Sequence, residues 1–324
     1  MTTPSSGRPL VVIAGPTGSG KSELALEIAG RFGGEIVNCD SLQVYRYFDI
    51  GTAKLSAAQR RGIPHHLLDV AGPDESFSAG DYSRMARTAL VEIAGRGRLP
   101  IVAGGTGLYV RALIDGLFPG PSRDEALRRR LTAHETRRPG SLHRLLGRFD
   151  AAAAGRIHPR DVQKLVRAVE VCLLTRRSLT AGFSSGRDRL TGFLTLKIGI
   201  NPPREALYER LNERCRRMFE SGLIDEVRRV LLLGFPPDVK PLESHGYKQA
   251  LQVLRGQLTV EEAIHSAQQN TRRYAKRQWT WFRREAGMEW VNGFGGEAAL
   301  QKDVGQRVLA HLAGMSEEIG IPGD

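Results

Sequence analysis

The chain has 324 residues, 41% hydrophobic and 6% aromatic, and carries 47 Lys/Arg against 35 Asp/Glu for a formal charge of +12. That supplies a sizeable core and material for more than one domain, while no apolar run approaches the roughly 20 residues needed to span a bilayer. Cys39, Cys172 and Cys215 lack metal-ligand spacing, the eight histidines form no ligand pattern, and Met1–Pro9 has no apolar leader core, so a reducing, cytoplasmic setting is expected.

Leu10–Ala14 reads as a buried strand running into Gly15-Pro16-Thr17-Gly18-Ser19-Gly20-Lys21-Ser22. This is the GxxxxGKS pattern of phosphate-binding loops in ATP- and other nucleotide-binding proteins. A helix follows, with Leu24, Ile28 and Phe32 on one face. Glycines let backbone N–H groups turn inward, and the helix adds its positive end. Lys21 suits phosphate oxygens, and Ser22 a magnesium ion. With a strand before and a helix after, a chance glycine-rich turn is the weaker reading. The chain is expected to bind a di- or triphosphate.

Glu35–Asp40 predicts a second strand with Asp40 at its C-terminal end, the end that faces the ligand crevice in open α/β sheets. Further strands are predicted at His66–Val70, Leu99–Ala103 and Leu194–Ile200, and helices at Ala79–Ala94 and from Thr106 to Leu117. Alternating elements of this kind imply a mainly parallel sheet with helices on both faces. From Pro121 to about Leu179 only helical periodicity is visible, and a Gly/Ser/Arg stretch, Gly182–Arg189, closes the segment. A helix region over Pro203–Leu233, with Gly222 as a possible break, precedes helices at Ser244–Leu254, Thr259–Gln278 and Lys302–Leu312.

The fold class expected is thus α/β: a P-loop NTPase-like parallel sheet with an inserted basic helical domain. Residues 1–120 and 190–324 form the core, and 121–189 the insertion. Between Pro121 and Thr180 there are 14 Lys/Arg against 6 Asp/Glu. Arg272, Arg273, Lys276, Arg277, Arg283 and Arg284 form a second basic patch, interleaved with Tyr274, Trp279, Trp281 and Phe282. Either patch alone reads rather as a solvated helix face. Two of them in a phosphate-binding chain point to nucleic acid.

Asp40, at a strand end beside the loop, is placed to act as a general base; magnesium coordination and capping of the Ser41 turn are its alternatives. The Leu99–Ala103 strand ends in Gly104-Gly105-Thr106, not in the acid usual for ATP hydrolysis. Thr106 either presents a hydroxyl to a ligand or caps the next helix.

Taken together, the segments GPTGSGKS (Gly15–Ser22), DSLQVYRYFDIGTAK (Asp40–Lys54), PHHLLDV (Pro64–Val70), FSAGDY (Phe77–Tyr82), VAGGTGLYVRAL (Val102–Leu113), RIHPRDVQKLVRAVEV (Arg156–Val171), SHGYKQ (Ser244–Gln249) and KRQWTWFR (Lys276–Arg283) carry a family resemblance. The chain resembles the tRNA dimethylallyltransferases. The resemblance implies transfer of a dimethylallyl group from dimethylallyl diphosphate to N6 of the adenosine 3′ to the tRNA anticodon, with Mg2+. It implies that Gly15, Pro16, Thr17, Gly18, Ser19, Gly20, Lys21 and Ser22 hold the diphosphate, with Ser22 on the metal. Asp40 would accept the N6 proton, Thr106 would hydrogen-bond near that amine, and Arg214 would add positive charge. The tRNA contacts implied are Asp40, Ser41, Leu42, Gln43, Thr106, Arg128, Gln163, Lys164, Leu165, Val166, Arg167, Ser244, His245, Gly246, Tyr247 and Lys248. The insertion becomes the tRNA-binding domain. The partners expected are tRNA and dimethylallyl diphosphate, with no membrane and a monomeric chain. A zinc finger following the core, as in some relatives, is not expected here. A small-molecule kinase and a nucleotide-gated RNA-binding protein are the competing readings. The basic insertion speaks against the first, and Asp40 with Thr106 at neighbouring strand ends against the second.

Overall fold

In the computed structural model, residues 7–118, 120–180 and 186–319 are described, the last five by backbone alone. The chain forms two compact units, residues 1–113 with 190–324, and residues 114–189.

The first unit is built on β1 (Arg8–Ala14), β2 (Gly34–Asn38), β3 (His65–His66), β4 (Leu99–Gly104), β5 (Phe193–Asn201) and β6 (Met288–Asn292), in the spatial order β3-β2-β4-β1-β5-β6. Every pair is parallel. A parallel sheet is covered on both faces, which is why Leu10 to Ala14 have no solvent exposure. Helix α1 (Lys21–Phe32) packs Leu24 and Ile28 with Val11, Ile13 and Ile101, in a core that also takes in Val304 and Val308 of α12 (Ala298–Ile319). The parallel α/β sheet expected from the sequence is present.

Register places Ala14 opposite both Gly104 and Gly199, and Asn38 opposite Ala103. The ends of β1, β2, β4 and β5 therefore share one edge. The chain leaves β1 towards β2 on one side and leaves β4 towards β5 on the other. The crevice of such a sheet lies at that reversal.

Helix boundaries follow local chemistry. Ser78 and Asp81 form a capping box at α2 (Ala79–Gly95), and Thr259 with Glu262 another at α11 (Val260–Phe282). The region Pro203–Leu233 is two helices, α8 (Arg204–Glu220) and α9 (Leu223–Leu232), broken where Gly222 takes φ 96°. Helices α3 (Gly107–Ile114) and α10 (Tyr247–Leu254) complete this unit, with a short 3-10 turn at Lys240–Glu243.

Two strands differ from expectation. The strand predicted over His66–Val70 stops after His66, because Leu67 and Asp69 adopt φ 61° and 57°. Strand β6 has no counterpart in the sequence reading.

The second unit contains α4 (Glu125–Arg137), α5 (Ser141–Phe149), α6 (Ala151–Arg156) and α7 (Val162–Thr175). Asp124, Asp150 and Asp161 cap three of them. Leu131, Leu142, Leu146, Leu165, Val166 and Val169 form its core. Part of the Gly182–Arg189 stretch, residues 181–185, lies outside the described residues.

Candidate active site

The loop after β1 is held from three sides. Gly295 N–H donates to Ser19 O at 2.9 Å. A Cβ on Gly20, at φ 88°, would lie 2.7 Å from Gly295 N, so this approach requires glycine. Arg214 of α8 donates from Nη2 to Thr17 Oγ1 at 2.7 Å. The Thr17 N–H donates to Gln278 Oε1 at 2.7 Å and the Ser19 N–H to Pro16 O at 3.3 Å. Neither of these amides is offered to an anion; the first turn of α1 is uncapped, because its N-cap Gly20 has no side chain to close it.

Lys21 Nζ donates to Pro16 O at 2.7 Å. Burial lowers its pKa to about 8, against the Asp40 carboxylate, which raises it, and with help from the Arg214 charge. Burial likewise pulls Arg214 down. Ser19 Oγ and Arg214 Nε are buried without a hydrogen-bond partner among the described residues. Unsatisfied buried donors beside a lysine and an arginine suit a polyanion.

Asp40 lies two residues beyond β2. Its Oδ1 accepts the Leu42 N–H at 2.9 Å, so the turn-capping role is present. The Thr106 N–H donates to Cys39 O at 3.1 Å, and Thr106 Oγ1 accepts the Ser41 N–H at 3.0 Å. The two strand-end turns are thereby tied together with Asp40 and Thr106 on the same edge. Tyr274 of α11 joins them: burial first, then the Asp40 charge, pushes its phenol up, against a hydrogen bond with Thr106.

Thr17, Asp40, Arg214 and Tyr274 form the polar wall of a cavity of about 280 Å³. Leu42, Met218, Phe219, Leu223 and Ala267 give it an apolar side. Ser244, His245 and Gly246 line it too. Burial and then the Arg277 and Lys248 charges hold the His245 imidazole below its usual range.

Other expected contacts are placed differently. Gln43 Nε2 donates to Thr52 O at 3.0 Å, inside its own loop. Tyr247 has no exposure and donates its hydroxyl to Glu226. Glu226 also accepts the Asp49 and Ile50 N–H groups at 3.1 and 2.9 Å, anchoring the Asp40–Lys54 loop to α9. Lys248 is exposed. Within the second unit, Gln163 and Lys164 face solvent, but Leu165 and Val166 are core, so their side chains cannot meet a partner. Arg128 and Arg167 donate to fully buried Glu170 at 3.1 and 2.7 Å. Burial works against charge on Glu170, yet Arg167, the Asp124 N–H and Arg128 outweigh it and hold the carboxyl below its usual range.

On the solvent side of α11, Arg273, Lys276, Arg277 and Arg284 join Arg111 and Trp281 around a groove of about 510 Å³. The Arg111 guanidinium stacks 4.4 Å over the Trp281 ring.

Gln278 and Glu226 are missed from the sequence, and Tyr274 is read there only as part of a basic patch and not as a group of this cavity. A faint signal existed for each. Ala267, Thr271, Tyr274 and Gln278 follow helical spacing, and Glu226 falls in the stripe of Leu223, Val227 and Val230.

The fold and site define an α/β protein with a glycine-rich loop after β1, and a carboxylate and a threonine at neighbouring strand ends. Residues 43–285 match the family model for IPP transferase. A tRNA dimethylallyltransferase of Solibacter usitatus is 61% identical over 94% of this chain and 99% of its own. One of Koribacter versatilis is 55% identical over 90% and 95%. The crystal structure of a full-length tRNA isopentenylpyrophosphate transferase from Bacillus halodurans aligns with TM-score 0.71 at 38% identity, covering 96% of this chain and 98% of that one. A eukaryotic dimethylallyltransferase captured acting on tRNA aligns with TM-score 0.79 at 27% identity, covering 97% and 80%. The chain belongs to the IPP transferase family, the tRNA dimethylallyltransferases.

Proposed function

We propose that this chain transfers a dimethylallyl group from dimethylallyl diphosphate to N6 of the adenosine 3′ to a tRNA anticodon. The observation that carries the reading is one cavity lined by Thr17 of the loop after β1, by Asp40 and Arg214, and by an apolar wall. The loop works as a P-loop whose occupant is a diphosphate. Lys21, the first turn of α1, Arg214 and the unpartnered Ser19 Oγ receive it. The adenine N6 attacks the allylic carbon, the carbon–oxygen bond breaks, and its electron pair leaves on the diphosphate. Asp40 takes the N6 proton through the oxygen that does not cap Leu42. Thr106 and Tyr274 orient the amine beside it. Donors fixed before charge develops lower the barrier most. The apolar side of the cavity takes the five-carbon chain, and the adenosine must leave its stack to enter.

Ser22 would hold Mg2+ through its hydroxyl oxygen, and the ion would offset charge on the leaving group. The insertion, residues 121–189, binds tRNA through its solvent-facing cations, and the Trp281 groove does so on the core unit. Among the described residues no helix is long and apolar enough to cross a membrane; a cytoplasmic monomer fits this reading.

The test is to incubate the protein with dimethylallyl diphosphate, Mg2+ and unmodified tRNA, then to digest the tRNA to nucleosides. A mass gain of one five-carbon unit on adenosine supports the proposal, and unmodified adenosine under all conditions refutes it.

A further inference from the structure

One face of α11 looks into the cavity through Ala267, Thr271 and Tyr274. Gln278 is the next residue along that face and is 5% exposed. Its Oε1 accepts the Thr17 N–H at 2.7 Å, and its Nε2 donates to Gly105 O at 2.8 Å. Thr17 follows β1 and Gly105 follows β4, the adjacent strands between which the crossover direction reverses. One carboxamide spans the mouth of the crevice.

Each end of that bridge leads to a site group. Thr17 carries the contact with Arg214. Gly105 precedes Thr106, which holds the Asp40 turn through Ser41. A Cβ on Gly105 would lie 2.3 Å from Gln278 Nε2, so the turn forgoes a side chain where the amide enters. The neighbouring core positions of α11 are Ala275, Trp279 and Phe282, all apolar. A polar group buried here needs both its donor and its acceptor satisfied, and glutamine satisfies both.

We propose that Gln278 is a positioning residue for prenyl transfer. It sets the spacing between the anion loop and the turn that carries Thr106, and so aligns the allylic diphosphate with the attacking amine. The inference rests on the reaction proposed above.

The experiment uses the full chain with tRNA and saturating dimethylallyl diphosphate, and measures the single-turnover rate. Gln278→Leu removes both bonds. Misplacement of reacting groups by about 1 Å costs on the order of 100-fold, so a rate loss of about that size is expected, with a much smaller change in KM for the diphosphate. Gln278→Glu distinguishes alignment from packing. As a protonated acid it can still accept from Thr17 and donate to Gly105 O; once ionised it has no donor and faces the carbonyl with a negative charge. Burial raises the titration of such an acid. The variant-to-wild-type rate ratio should therefore be highest at acidic pH and fall as pH rises. Gly105→Ala presses on the same amide from the other side and should repeat the Gln278→Leu pattern, which covers the case where that variant does not fold.

A Gln278→Glu ratio that stays flat with pH overturns the proposal. So does rate loss in Gln278→Leu or Gly105→Ala that matches only the fraction of unfolded protein in a thermal melt. If the wild type itself leaves tRNA unmodified, the reaction fails and this inference with it. A wild type that modifies tRNA alongside indifferent variants rejects the Gln278 role alone.

Discussion

Arg214 places its Nη2 2.7 Å from Thr17 Oγ1, joining α8 to the loop after β1. The contact fixes the guanidinium at the cavity wall while its Nε stays buried without a partner among the described residues. On the proposed function, a guanidinium held this way is preorganised for an arriving anion. The following outcomes are expected on that basis.

Affinity for the diphosphate should fall as pH rises through about 8. Lys21 titrates near that value in the free protein because burial disfavours its charge. A bound diphosphate favours the charged form, so the pKa rises on binding. Below about 8 the lysine is protonated in both states and affinity is full. Above it, binding must take up a proton, which calorimetry in buffers of different ionisation heat detects. Lys21→Ala should remove this slope and weaken binding by roughly 10- to 100-fold, the scale of a charge-assisted bond of about 1.5–3 kcal/mol.

Asp40→Asn should lower kcat by roughly 10²- to 10⁴-fold while both substrates still bind. The amide oxygen can still accept the Leu42 N–H that Asp40 Oδ1 accepts now, so the turn should persist. Normal turnover with a much higher magnesium requirement would instead assign Asp40 to the metal.

Arg128→Glu should act mainly on folding. It sets a second carboxylate against fully buried Glu170, whose charge Arg128 and Arg167 offset. Removing one partner of a buried pair costs about 3–5 kcal/mol, less here because Arg167 remains. The expected readout is a lower melting temperature. Because Glu170 is held below its usual range, the stability it confers is present above the ordinary glutamate pKa and is lost as pH falls through the depressed value.

Arg273→Glu with Lys276→Glu should raise KM for tRNA and leave diphosphate affinity alone. Both side chains are exposed on the Trp281 groove. Wild-type tRNA affinity should drop steeply with salt, and the variant should show a shallower slope because fewer counterions are released. An unchanged slope would remove this groove from the tRNA path.

Much of the candidate site is legible in the sequence because its signals are local. The strand, the GxxxxGKS loop and α1 are contiguous, and Asp40 and Thr106 each end or follow an apolar run. What escaped depends on distant partners. Gln278 meets Thr17 across 261 positions, and Glu226 meets Asp49 across 177. The basic residues around Gln278 direct attention outward, while the side chain points in. Counting charge also cannot show that Arg128 and Arg167 share a buried glutamate. Strand β6 pairs with β5 alone, at the edge of the sheet, and only Val291 of its five residues is buried, so it presents no apolar run. The strand after Pro64 is cut short by left-handed Leu67 and Asp69, which nothing in the composition of that run announces.

The most direct measurement of the central claim follows tRNA modification and phosphate products together. Phosphoryl transfer needs a γ-phosphoryl group held in line with a nucleophile; allylic transfer needs only the diphosphate in the loop and room for five carbons. With dimethylallyl diphosphate and tRNA but no ATP, each modified adenosine should be matched by one inorganic diphosphate, and added ATP should at most compete with the allylic substrate. A requirement for ATP, with ADP released in step with tRNA modification, would contradict the account.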